Sequence, residues 1–476
     1  MIDPHEAAGP IDRPGRLQIN AWSGGTPSNA DPLPPRTPWA QVKPVHEHPR
    51  KWAAPAIPVD ERHWQHPDIG WGLVLPDNEA LPPPARATAA DAPAAIQALL
   101  AARPGSPVLR WAPQLDNWKL RRYGADGKAR DLEIAAPRPG VEEDRIPRYL
   151  LIYASPSLIP WSVQYALNLS TYVGRLDLVG HALDNYIEAL LSDWSGAACQ
   201  VRAPVVWSVD HGAPDISWLM DRALANSLWQ RLEQDADLGQ RLRLKEAHAT
   251  HSALAAALAE RKPGLVVTTS HGMTGPLGSE AALIAQLGLP VDINHDLLRI
   301  DELQAWQASG AIWYAHACCA AGSDTVSRYA DLLGHDASIS QIVNGVAAAA
   351  GAMVAPLPRA LLGARSPLRA FVGHVEPTFD WTLRDPVTKQ VLVHVLCDAL
   401  YTQVFQQDMR TPIGFALRGH FKEAGAFFGS LDRAIVQVNQ NMPGMRDWAL
   451  YRRLVALDRQ TLVILGDPTV ALPLLH

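Results

Sequence analysis

The chain is poor in cysteine. Cys199, Cys318, Cys319 and Cys397 are the four in 476 residues, too few for a disulfide framework, and no CxxC pair marks a structural zinc site. A reducing, cytoplasmic setting follows as the expectation, and there a free thiol persists as a nucleophile. Runs of Lys and Arg are missing too, and with a net charge of −6 this argues against nucleic acid as a partner. No apolar run has the length of a membrane span: the Ala/Gly/Val-rich stretch from Val343 to Pro356 is broken by Asn344, Gly345 and Gly351. The N-terminus has no basic segment followed by an apolar one, so no secretory signal is expected. No fixed period recurs, which excludes a solenoid or a propeller.

What is present is enough apolar material, 47% of residues, to bury a sizeable core. Residues 1–85 are rich in Pro and Gly and lack a sustained period of 2 or 3.6, and they read as an irregular extension. Disordered tails are poor in aromatics, yet this one carries Trp22, Trp39, Trp52, Trp64 and Trp71. It is therefore expected to wrap over the globular body with the tryptophans as anchors, or to offer them to a partner protein. His46, His48, His63 and His66 show HxH and HxxH spacings, but no Cys or carboxylate set accompanies them, so they are read as loop histidines and no metal is assigned.

From residue 86 the pattern is α/β. Short buried strands are expected at Arg148–Ala154, Leu169–Leu176, Ala203–Asp210, Gly264–Gly272, Ala311–Cys319, Leu368–Glu376 and Thr461–Asp467. Helices are expected between them, among them one capped by Asp215, one capped by Thr250, and one over Ser323–Leu333. Strands alternating with helices predict a mostly parallel sheet covered on both faces, an α/β/α sandwich. The expected division is an extension at 1–85, an α/β subdomain at 86–200 and a second at 201–476.

Two of these strands end on reactive side chains followed by glycine: Ser270-His271-Gly272, and Cys318-Cys319-Ala-Ala-Gly322, with 48 positions between His271 and Cys319. Neighbouring parallel strands joined by one crossover would bring both ends to one rim of the sheet, where α/β sites form. A thiol attacks a carbonyl well only as thiolate, so it needs a base in reach and donors for the oxyanion. His271 is the candidate base and Cys319 the candidate nucleophile. The backbone N–H groups of Gly272 and Cys319 are the candidate oxyanion donors. Cys318 and His211-Gly212 are the alternatives. Asp210 is the candidate third member that orients the imidazole, with Asp215 second because its cap role already accounts for it.

These motifs resemble the clan CD cysteine peptidases, the group of caspases, separases, CHAT-domain proteins and gingipains. Caspases carry their His about 50 residues before the Cys, and this chain has that spacing. The Cys319-Ala-Ala-Gly322 spacing leads the resemblance to favour Cys319, although Ala321 stands where relatives often have Ser or Asn. The layout is closest to the gingipain branch, through Tyr149–Ile152, Pro160-Trp161, Tyr172–Leu176, Ala249-Thr250 and Leu465–Pro468, while Phe371–Ala416 is similar to CHAT domains. The resemblance covers roughly 147–470. It implies a caspase-like sandwich of two adjacent subdomains and a cysteine endopeptidase that acts on protein or peptide substrates through an acyl-enzyme, without a cofactor. Glu376 would lie near the substrate pocket and favour a basic P1 side chain, an exposed glutamate being the plain alternative. An inactive caspase-like scaffold that binds a partner is the alternative function.

Overall fold

A computed structural model describes residues 16–25, 31–34, 39–41, 59–135, 138–306, 308, 310–406 and 408–475. His46, His48 and Trp52 lie outside the described residues.

One twelve-stranded sheet runs through the molecule. From edge to edge its strands are Leu242–Leu244, Val205–Ser208, Leu265–Thr269, Ile312–His316, Ala370–His374, Leu462–Gly466, Tyr172–Leu176, Tyr149–Tyr153, Trp71–Pro76, Val108–Trp111, Lys119–Tyr123 and Ala129–Glu133. Neighbours are parallel except Ala370–His374 with Leu462–Gly466 and the two pairings of the far edge. The fold is thus the expected mixed α/β sandwich with a mostly parallel sheet. Val205–Ser208, Leu265–Thr269 and Ile312–His316 are buried along their whole length, as parallel strands covered on both faces must be. Alternation shows the two faces directly: Tyr149 and Leu151 pack into one core, Leu150 and Ile152 into another.

The two expected α/β units share this sheet. They meet where Tyr172–Leu176 pairs with Leu462–Gly466, so closely that a Cβ on Gly174 would lie 2.0 Å from the Gly466 carbonyl oxygen. The irregular extension expected at 1–85 ends sooner than that: Trp71–Pro76 is an interior strand, paired in parallel with both Val108–Trp111 and Tyr149–Tyr153. Pro76 is the last residue of the strand and lies beyond its pairing with Tyr149–Tyr153, which stops at Val74 with Ile152. The helix expected over Ser323–Leu333 is also absent. Gly322–Ser323 instead pairs with Met353–Val354, and the Glu376 carboxylate takes the Ser327 hydroxyl and the Arg328 N–H, which holds this stretch as a loop.

Outside the sheet, Arg418–Asn439 and Met445–Thr461 pack as a helical hairpin. A second core lies against it, and the N-terminal segment belongs to that core: Leu17, Ile19, Ala21 and Trp39 are buried together with Cys318, Cys319, Tyr329 and Phe379. Trp39 lies 4.2 Å from the guanidinium of Arg453. Burial of a large apolar side chain contributes about 2 kcal/mol, while fixing each backbone residue costs about 1–2 kcal/mol. Leu17, Ile19 and Trp22 alone do not offset the ordering of residues 16–25, and the backbone hydrogen bonds from Gly272 and Thr274 to the Asn20 and Trp22 carbonyls add to their hold. Among the described residues no helix is long and apolar enough to cross a membrane.

Candidate functional site

The strands Leu265–Thr269 and Ile312–His316 are parallel neighbours, paired from Leu265 with Ile312 to Thr269 with His316. Both chains run on past the same rim, one into Ser270-His271-Gly272 and the other into Ala317-Cys318-Cys319. The two ends touch at Gly272. A Cβ there would stand 2.0 Å from the Cys318 carbonyl oxygen and 2.9 Å from the Cys318 carbonyl carbon and nitrogen, so only glycine permits the approach.

His271 is buried, and its Nε2 lies 2.9 and 3.0 Å from the two carboxylate oxygens of Asp215. Asp215 is the N-cap of the Ile216–Met220 helix, where its Oδ1 accepts the Ser217 N–H at 2.7 Å. A carboxylate has enough lone pairs to cap a helix and hold an imidazole at once. Burial pushes the Asp215 carboxyl up, but the His271 hydrogen bond and charge and the Ser217 donors outweigh it and hold the pKa at about 2. Asp215 is therefore ionised and makes the Nε2–H form of His271 the favoured one. The other ring nitrogen, Nδ1, is buried and has no hydrogen-bond partner among the described residues. That leaves a buried lone pair of the kind a general base uses.

Asp210, the expected orienting acid, is spent elsewhere: one oxygen accepts the Gly212 N–H at 2.8 Å and the other Arg222 at 2.8 Å. His211 stacks on His271 with ring centroids 5.8 Å apart, His295 stacks on His211 at 4.2 Å, and Trp22 closes the row over His295 at 4.3 Å. The His211 Nε2 reaches the Asp292 carbonyl at 3.1 Å.

The two cysteines differ in setting. The Cys318 thiol donates to the Asn20 side-chain oxygen at 2.5 Å. Cys319 has φ +53, and its N–H, an expected oxyanion donor, points to the Glu376 carbonyl at 3.4 Å. The other expected donor, the Gly272 N–H, is given to the carbonyl of Asn20 at 2.9 Å. Both thiols are buried. Burial pushes the Cys318 thiol well up, with the Cys319 charge adding to it, and burial followed by the Glu376 charge raises Cys319.

Glu376 is buried beside this loop, and its carboxylate accepts from the Ser327 hydroxyl and from the Arg328 N–H at 3.0 and 3.2 Å. A carboxylate so occupied offers no open charge to a basic substrate side chain. Burial is the main cause that raises its pKa to about 7, against the lowering effect of the two donors. Between the unfolded value near 4.5 and about 7 the native chain binds the extra proton, so this residue's contribution to stability falls as pH rises through that window. Relative to wild type, Glu376→Gln should thus gain thermal stability as pH increases from 4.5 to 7 and keep a constant advantage above it. A pH-independent difference in melting temperature would show that the carboxyl does not titrate there.

Among the described residues two groups bring three metal-ligand-type atoms within 4.8 Å of one another, His211/Asp215/His271 and His251/Asp292/Asp296. Hydrogen bonds already use one carboxylate in each: Asp215 as above, and Asp292 through the N–H groups of His251, Asn294 and Asp296. His63 is exposed, His66 is half-buried, and neither joins a metal-type group among the described residues.

Sequence reasoning missed Asn20, whose amide touches a cysteine 298 positions away. Nothing local signals such a contact. Only the tryptophans around it hinted that the segment lies on the body.

No protein-family profile and no curated protein sequence matches this chain. Among solved structures it is similar to the separase of the Saccharomyces cerevisiae separase–securin complex, at 11% identity and a TM-score of 0.33, over 72% of this chain. The match takes in 16% of the separase, so this chain spans a small part of the length of that protein.

Proposed function

We propose that the chain is a cysteine-type peptidase whose base is His271 and whose nucleophile is a thiol of the Cys318–Cys319 pair. The observation that carries this reading is the buried, unpartnered Nδ1 of His271, its opposite nitrogen pinned to an ionised Asp215, on a loop in backbone contact with Cys318. The sequence favours Cys319 as the nucleophile. The contacts favour Cys318, because its thiol meets the same residue, Asn20, whose peptide carbonyl lies on the Gly272 N–H.

The chemistry follows from these positions. Nδ1 takes the thiol proton, and the sulfur forms a bond to the carbonyl carbon of a bound peptide. The carbonyl π pair moves to oxygen, where the Gly272 N–H stabilises it. The imidazolium then returns the proton to the departing amine as the C–N bond breaks, leaving a thioester that water hydrolyses with His271 as base again. Asp215 acts through His271, holding its tautomer and stabilising the imidazolium.

The covered, protonated thiols favour a second reading, a binding module that no longer turns over. An electrophilic peptide probe separates the two. On the peptidase reading it modifies one cysteine of the pair, mapped by mass spectrometry, and modification stops in His271→Ala. Equal modification of wild type and His271→Ala would sink the peptidase reading, since a base that activates nothing is not catalytic.

A further inference from the structure

The N-terminal segment lies across the candidate site as an extended strand. Ala21–Trp22 pairs in parallel with Gly272–Met273, and Ile19 bridges antiparallel to Phe379, so the chain is held between the loop after the histidine strand and the loop after Ala370–His374. The Gly272 N–H goes to the Asn20 carbonyl at 2.9 Å and the Thr274 N–H to the Trp22 carbonyl at 3.0 Å. The Gln18 N–H reaches Asp380 at 3.4 Å. An edge that accepts a strand through main-chain hydrogen bonds, with pockets for alternate side chains, is how peptides add to sheets.

Asn20 sits at the centre and is fully buried. Its side-chain oxygen accepts from the Cys318 thiol at 2.5 Å and from the Thr378 N–H at 3.2 Å, and its amide nitrogen lies 3.8 Å from the Met220 sulfur. Two donors facing one acceptor, with a soft sulfur opposite the amide, suit a carboxamide. A leucine there would strand the Thr378 N–H without a partner, and an aspartate would bury a negative charge.

We propose that residues 18–22 are an internal peptide ligand of this groove, and that the groove selects a carboxamide side chain where Asn20 lies. As long as the segment is seated, the groove is closed to other peptides and the Cys318 thiol is shielded. A substrate enters by replacing it, as an extended peptide with asparagine at the same place. That the groove serves substrates rests on the peptidase reading; its occupancy by the chain's own segment and its side-chain preference do not.

The test uses the full chain. Ile19→Asp with Ala21→Asp places two charges in a buried strand and should expel it. Carbamidomethylation of Cys318, followed by mass spectrometry, should then run at least about tenfold faster than in wild type. A synthetic ten-residue peptide with the sequence of Arg16–Gly25 should restore protection, and versions with leucine or aspartate in place of the asparagine should need at least about tenfold more peptide. Where the double variant does not fold, Asn20→Ala, which keeps the backbone contacts, should raise the same rate about threefold or more. Unchanged labelling in a folded variant, or equal protection by the three peptides, would overturn the proposal. Protection by the asparagine peptide without its hydrolysis would count against the peptidase reading alone. Hydrolysis indifferent to the side chain would remove the carboxamide preference and leave that reading in place.

Discussion

On the proposed peptidase reading, Asp215→Asn should lower kcat/KM for peptide hydrolysis by about 10³- to 10⁴-fold while leaving the fold intact. Asparagine is as good an N-cap as aspartate, so the Ile216–Met220 helix keeps its Ser217 contact. What changes is the group facing His271 Nε2 at 2.9 Å. An ionised carboxylate only accepts, which forces the proton onto Nε2 and leaves the Nδ1 lone pair free. A carboxamide can turn its NH₂ toward Nε2, which moves the ring proton to Nδ1 and removes the base. The imidazolium formed during attack also loses the charge that stabilises it. Two measurements separate this from a structural role: the melting temperature, which at neutral pH should fall by no more than the few degrees that about 2 kcal/mol represents, and the pH profile, whose basic plateau should not recover the lost rate. Acid stability should respond as well. With a folded pKa of about 2 against an unfolded value near 3.9, the Asp215 contribution is present above pH 4 and lost on going down to 2, on the order of 2 kcal/mol. The asparagine variant should lose that part of the acid transition. Wild-type activity in Asp215→Asn would mean that Asp215 does not act through His271.

Asp215 also shows where reading the chain stops short. Its role as a cap was legible from the residues that follow it, and so was the Thr250 cap, whose hydroxyl accepts the Ala253 N–H. Because one role sufficed, the orienting acid was sought at Asp210, at the strand end. The structure turns Asp210 toward Arg222 and gives His271 to the cap residue instead. A bifunctional carboxylate has no distinct local signature; only the distance across 56 positions reveals it.

The strands that position the site were legible because parallel strands buried on both faces are continuous apolar runs, as in Leu265–Thr269 and Ile312–His316. The far edge was not. Lys119–Tyr123 and Ala129–Glu133 are charge-bearing antiparallel strands, the second largely exposed, and Trp71–Pro76 is hidden among prolines. The strand over the site left no trace, since two-residue pairings carry no period and their partners lie about 250 positions away. Sequence pattern reports what a segment buries; it does not report which distant backbone it lies beside.

On the same peptidase reading, Gly272→Ala should disable the site at least about 100-fold in kcat/KM, the scale of a 1 Å misplacement of catalytic groups. The added methyl would meet the Cys318 carbonyl at 2.0 Å, and every atom it strikes is backbone, so no side chain can swing aside. Relief requires the histidine loop and the cysteine loop to separate, although the strands beneath them are locked in register from Leu265 to Thr269. The overpacking should cost about 1–3 kcal/mol in stability, visible in the melting temperature. It should also loosen the contact of Gly272 with Asn20 and speed labelling of Cys318. Gly212→Ala is the informative counterpart. Gly212 follows the other candidate histidine, has φ +80 and nothing within 4 Å of a built Cβ, so the substitution brings backbone strain of about 1 kcal/mol and no displacement of the cysteines. If His271 is the base, Gly212→Ala keeps most of its activity and Gly272→Ala does not. The reverse order of effects would transfer the base to His211, whose Nδ1 is likewise buried and unpartnered.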